Sequence, residues 1–203
     1  MIVDIGEINP FPNAKCDEEQ AAKILEDAAE VFCAWQLYDK SVCRAKRTTY
    51  GPALKCIASF IDAERDDLLS ECADLIMACS NMRAWCVKQY QNPYMKNRAL
   101  LSVDPIPCEK HYVRGILRAA SLVDSATDSY VCARREYGAE SEQTYHAIDR
   151  LLTQLFECIF VTCCIIAALG VNDFTSYMKE CEKRNRDRGR YDDSRADNQE
   201  QAR

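Results

Sequence analysis

Apolar residues recur at helical spacing along most of this chain. Leu68, Cys72, Leu75, Ile76 and Cys79 fall on one side of a helix, with polar residues between them. The pattern predicts a long helix over residues 17–47. Asp17 serves as its N-cap, and Glu18 and Glu19 in the first turn favour the helix dipole. Thr48-Thr49-Tyr50-Gly51-Pro52 breaks the pattern, and a second helix over 53–90, bent near 62–67, ends at Asn92-Pro93. A short helix is expected next, then a proline-containing linker over 102–108. Helical pattern returns over 109–137 and, after a loop at 138–143, over 144–169, where Gly170 is placed to stop it. Asn172 or Asp173 is expected to cap a last helix, which frays beyond Lys183 into a disordered polar tail at 191–203. Residues 1–16, punctuated by Pro10 and Pro12, read as irregular. The expected fold is all-α, a bundle of helices in which 17–47 and 53–90 pack antiparallel.

The two halves resemble each other. Leu68-Leu69-Ser70-Glu71 lies on Leu151-Leu152-Thr153-Gln154, and the same offset brings Asp74 onto Glu157 and Tyr94-Met95-Lys96 onto Tyr177-Met178-Lys179. Upstream, the stretch from Leu25 to Cys33 resembles that from Val123 to Cys132, with Glu26 on Asp124 and Glu30 on Asp128. This predicts a tandem duplication, with one helical unit over 17–101 and a second over 109–190.

Composition narrows the function classes. Gly and Pro number only six each, as a helical protein requires. The net charge of −6 argues against a nucleic-acid-binding face, yet permits a small nucleotide bridged to acids by a divalent cation. The N-terminal stretch lacks the basic and apolar regions of a signal peptide, and the apolar run over 158–169 is too short for a membrane span. The chain therefore reads as cytoplasmic, with no membrane partner and with its thirteen cysteines reduced. No pair has C-x-x-C spacing and there are two His, so structural zinc is poorly supported. Buried-type surroundings make Cys33, Cys72, Cys79, Cys158 and Cys163 small core hydrophobes.

The candidate chemistry is carried by acids. Glu26, Asp27 and Glu30 lie within an alanine-rich helix at i,i+3 and i,i+4 spacing. Glu71 and Asp74 are again i,i+3, and Ala78 and Asn81 extend their stripe. Like charges at that spacing repel, and carboxylates beside core residues lose hydration. A divalent cation between the two pairs would relieve both penalties. Mg²⁺ suits such a site, because it takes a few carboxylates and keeps open positions for water and phosphate.

These residues carry a resemblance. Leu25-Glu26-Asp27-Ala28-Ala29-Glu30-Val31 is similar to the E-E-x-x-E motif of the MazG-like all-α nucleoside triphosphate pyrophosphohydrolases, and Glu71-Cys72-Ala73-Asp74 to their E-x-x-D motif. The stretch from Leu169 through Tyr177-Met178 to Arg190 resembles their C-terminal segment, where Lys, Asn and Arg approach the phosphates. The resemblance spans most of the chain from Cys16 to Arg190, with Asp27 in place of the second Glu and an unusually long gap between the motifs. It implies a bundle of two MazG-like units and a nucleoside triphosphate substrate, cut between the α and β phosphates. It further implies Mg²⁺, with Mn²⁺ able to substitute, on Asp27, Glu30, Glu71 and Asp74, with Glu26 an alternative to Asp27. A remaining carboxylate would act as base. Lys179, Lys183, Asn185 and Arg188 would contact phosphate, and Asn81 the base or sugar. Trp35 is the other base candidate, although a core position suits it better. The second half carries Ser125, Gln154, Val161 and Cys164 where the first carries Asp27, Glu71, Ala78 and Asn81, so only Asp124, Asp128 and Glu157 remain there. One composite site is expected, in a monomer with pseudo-dimeric repeats or a homodimer.

Several alternatives fall on residue types. No His follows any of the five acids at i+3, as a ferritin-like di-iron bundle needs. There is no Gly-rich phosphate loop. The basic run over 184–190, interleaved with Asp187, reads as a solvated helix end. The rival from another class is a non-catalytic helical interaction protein built on a decayed duplicate.

Overall fold

A computed structural model describes residues 2–48, 51–90, 98–102 and 110–191. Its helices are α1 (Glu18–Arg47), α2 (Gly51–Tyr90), α3 (Lys110–Tyr137), α4 (Glu142–Ala168) and α5 (Thr175–Asp187). Strands β1 (Ile2–Glu7) and β2 (Arg98–Ser102) complete the described elements. The protein is an all-α bundle, as the apolar periodicity predicts. The α1 side chain of Gln20 donates from Nε2 to the Ala78 carbonyl far along α2, so the two helices run antiparallel. α3 packs along α4, α1 along α3 and α2 along α4, which closes a four-helix square. Leu68, Leu69, Cys72, Leu75, Ile76 and Cys79 all lie in its core. Each Leu or Ile so buried contributes about 1.5–3 kcal/mol.

Local sequence sets the helix ends. Asp17 accepts from the Gln20 amide at 3.0 Å, the expected cap. Ser141 does the same for α4 through the Thr144 amide at 3.2 Å. At the far end of α4, Gly170 (φ +78°) turns the chain left-handed, which a side chain would resist. Its amide reaches the Ala167 carbonyl and that of Val171 the Ile166 carbonyl, which together form a Schellman stop.

Several expectations need correction, that of Cys33 as a core residue among them, because it is exposed. Residues 1–16 are not wholly irregular, because β1 pairs antiparallel with β2, Val3 opposite Leu101 and Asp4 opposite Leu100. Val3 and Ile5 point into the core. β2 stands where a short helix was expected, and Ser102 ends it, so the linker at 102–108 otherwise lies outside the described residues, as do Tyr94-Met95-Lys96 and the tail beyond Tyr191. Neither Asn172 nor Asp173 is the cap of α5. Phe174 holds that position without a side-chain bond, and Asp173 accepts instead from the Thr175 amide and hydroxyl at 3.0 and 2.6 Å. Asp4 bridges to this turn, its amide donating to the Asn172 carbonyl and its carbonyl accepting from the Phe174 amide. β1 thereby fastens α5 onto the bundle. α2 is continuously helical through 62–67.

α4 is long and apolar enough to cross a membrane, contrary to the sequence reading, which measured only its most apolar stretch. More than half of that apolar window is buried within the molecule against the other helices.

The burial pattern can be compared between the two halves. Leu68, Leu69, Cys72, Leu75, Ile76 and Cys79 are buried, and so are Leu151, Leu152, Leu155, Cys158, Ile159 and Thr162 in the same order on α4. On α1 and α3 the matching order is Ala21, Ile24, Asp27, Ala28 and Val31 with Ala120, Val123, Ala126, Thr127 and Tyr130. That register is one residue off the sequence pairing. It puts Ala126 opposite Asp27 and Ser129 opposite Glu30, where the sequence had paired Asp128 with Glu30. The sequence pairing would lay buried Val31 on exposed Ser129.

Candidate functional site

Asp27 lies in the buried stripe of α1, between Ile24 and Val31, and is only 3% exposed. Glu30, one turn on, is exposed, and Glu26 points outward. On α2, Glu71 and Asp74 flank the core stripe and are half-buried. Antiparallel packing brings the α1 and α2 acids together, and their mutual fields register the proximity. Burial pushes the Asp27 carboxyl up to about 6. The Lys23 ammonium opposes the rise, and the Glu30 and Asp74 charges add to it. The Glu71 carboxyl is likewise raised, by burial first and then by Glu30, Asp74 and Asp27, with Arg184 opposing. Four carboxylates from two helices thus share one field.

Two cations serve this cluster. Lys23, one turn before Asp27, places its Nζ 2.8 Å from Asp27 Oδ1 and 3.4 Å from Glu26. Arg184 on α5 donates to both Asp74 oxygens, at 2.9 and 3.0 Å. The buried Cys181 thiol donates to Asp74 Oδ1 at 2.9 Å, and burial followed by the Asp74 charge keeps it protonated. Asn185 donates to the Cys181 carbonyl at 3.0 Å. Four acids against two cations leave the cluster negative.

Carboxylates are the donor type that a hard divalent cation takes, but Asp27 is held by Lys23 and both Asp74 oxygens are engaged by Arg184. Among the described residues no three His, Cys, Asp or Glu side chains stand together as a ready-made metal site.

The other candidates divide. Asn185 adjoins the cluster through Cys181. Lys183 pairs with Glu180 at 3.9 Å on the exposed side of α5. Lys179 is exposed, and its charge acts on Asp173. Arg188 follows the last turn of α5, its amide donating to the Arg184 carbonyl. Asn81 is buried, and its Oδ1 accepts from the Phe11 amide at 2.9 Å, so it fastens the N-terminal segment. Trp35 is a core residue. Asp124 is half-buried, and Asp128 and Glu157 are exposed. An open cavity of about 590 Å³ further along α2 is lined by Pro10, Phe11, Trp85 and Lys88, not by the acids.

Lys23 and Arg184 are the site residues that sequence reasoning missed. Lys23 sits at i−4 from Asp27, a legible spacing. Arg184 continues the face of α5 that buries Met178 and Cys181, whereas Lys183 falls off it. No family model, characterised protein or solved structure matches this chain, so the likeness to the MazG-like enzymes rests on its own residues.

Proposed function

We propose that the chain is a Mg²⁺-dependent nucleoside triphosphate pyrophosphohydrolase that cleaves the α–β bond to release a monophosphate and pyrophosphate. One observation carries this reading: Asp27, Glu30, Glu71 and Asp74 share one field and outnumber the cations beside them. Mg²⁺, or Mn²⁺ in its place, held by those carboxylates would neutralise the phosphates and acidify a bound water. A carboxylate left free of the metal would accept the proton of the attacking water. Arg184 has the fork geometry for a phosphate, with Asn185 beside it. Lys179, Lys183 and Arg188 serve as outer contacts on α5. The recurrence of burial between the α1–α2 and α3–α4 pairs supports a duplicated unit whose second copy supplies packing, because Ala126 and Gln154 stand where the first has Asp27 and Glu71. In this reading the chain is cytoplasmic, and its second half takes the place of a second subunit.

A non-catalytic interaction protein is the competing reading. The cation partners of Asp27 and Asp74 favour it, because they make the cluster largely self-satisfied. Thermal melting of wild type and Glu71→Gln against Mg²⁺ separates the two. The enzyme is stabilised by metal in wild type and much less in the variant. No shift in either supports the scaffold.

A further inference from the structure

We infer that the paired ends of α1 and α2 form a basic arm that docks on the phosphate backbone of a nucleic-acid duplex.

Burial marks where the bundle stops. Trp35 is the last buried residue of α1, and the continuous core stripe of α2 starts at Leu68. Between them only Ile57 is buried among the described residues. Arg65 donates to the Leu169 carbonyl at 2.8 Å, one residue past the end of α4. Residues 36–47 and 51–64 therefore run on beyond α4 as a two-helix arm about 20 Å long.

The arm is positive at its tip. Residues 40–61 hold Lys40, Arg44, Lys46, Arg47 and Lys55 and no acid. All of these cations are exposed, and none makes an ion pair among the described residues. Lys40, Arg44 and Arg47 recur at i, i+4 and i+7, so they line one side of α1 over about 10 Å. Cations in the last turn of α1 suit its dipole. Lys55 does not suit that of α2, whose first turn holds no acid. Positive charge is thus kept where helix stability alone would favour a carboxylate. The net charge of −6 conceals this separation. Asp74 lies about 30 Å along α2 from Lys55, well past a screening length of about 8 Å.

The arrangement selects among polyanions. A membrane-inserting tip needs apolar residues outermost and cations behind them. Here exposed Leu37 and Phe60 lie toward the base and the cations lie outermost, with Leu54 the one large apolar residue exposed among them in the described part. A single strand needs aromatic platforms between the cations, and no exposed aromatic is described beyond Phe60. A duplex, with one charge per about 1.7 Å of axis, needs only cations in line. Two helices of about 10 Å each are too thick for a major groove about 12 Å wide, so the contact is to phosphates and carries no sequence readout.

The test is fluorescence anisotropy of short labelled DNA and RNA duplexes with the full chain, between about 50 and 200 mM salt. For wild type, the logarithm of affinity should fall against the logarithm of salt at a slope of about −4, as roughly five phosphate contacts require. Arg44→Gln combined with Arg47→Gln should flatten that slope by about two and weaken binding roughly tenfold to a hundredfold at low salt. Lys55→Gln, on the other helix, should flatten it by about one. Arg118→Gln combined with Arg150→Gln removes the same charge from exposed positions of α3 and α4 and should bind as wild type does. Equal loss in the two double variants, each still melting cooperatively, overturns the arm as the docking surface. Absence of duplex binding, tighter binding to a single strand of the same length, or binding only to vesicles of anionic lipid overturns the duplex as its partner.

Discussion

Replacing Asp27 by Asn keeps the shape of the side chain and removes its charge. The ordinary Asp value is 3.8 and burial lifts this one to about 6. Between those values the folded protein binds the proton and the unfolded chain does not. Stability from this group is therefore fully present below about pH 4 and is lost as pH rises through about 6. The gap of about two units sets a ceiling near 3 kcal/mol, so 1–3 kcal/mol is the working range, roughly. Asp27→Asn does not suffer that loss, and its Oδ1 can still face Lys23. In urea unfolding with a chelator present, the variant should match wild type near pH 4 and exceed it by that amount above pH 7, roughly. Excess Mg²⁺ should reverse the order above pH 7, because only wild type gains from binding. A difference that is flat with pH, or a variant less stable than wild type above pH 7 without metal, would refute the account of Asp27 as a buried charge.

Other predictions are briefer. Glu71→Gln and Asp74→Asn should each abolish turnover, whereas exposed Glu157→Gln should leave it near wild type. Steady-state rates for the three side by side decide it, and equal loss in Glu157→Gln would show that the second half works. Asn81→Ala leaves the Phe11 amide without its partner and should cost about 1–3 kcal/mol in urea unfolding, with faster proteolysis near Pro12. Gly6 has φ +72°, and a Cβ there would meet Thr175 Cγ2 at 3.0 Å. Gly6→Ala should lower stability by about 1–2 kcal/mol, measured the same way, by loosening β1 against α5.

What was legible in the sequence follows from the range of each interaction. Helices announce themselves locally, through the recurrence of Leu68, Cys72, Leu75 and Ile76 and through the cap at Asp17. β1 does not, because only Val3 and Ile5 alternate and the partner strand lies far along the chain. The acids could be found because each pair is internal to one helix. Their partners divide by the same rule. Lys23 belongs to the same helix as Asp27, while Arg184 reaches Asp74 only after α5 is folded back by the turn at Asn172. Asn81, which extends the stripe of Glu71 and Asp74, accepts from the Phe11 amide, a contact that no spacing encodes. The sequence pairs α1 with α3 through shared acids; laid over one another by buried positions instead, the two helices match one residue further on, with Ala126 opposite Asp27.

The central claim is cleavage of a nucleoside triphosphate at its α–β bond. Incubating the full chain with each common ribo- and deoxyribonucleoside triphosphate and Mg²⁺, and separating the products by anion-exchange chromatography over time, tests it directly. The account predicts monophosphate and pyrophosphate released in equal amounts from the earliest samples, with release lost in chelator. Free phosphate and a nucleoside diphosphate as the first products, or no turnover of any nucleotide with Mg²⁺ or Mn²⁺, would contradict it.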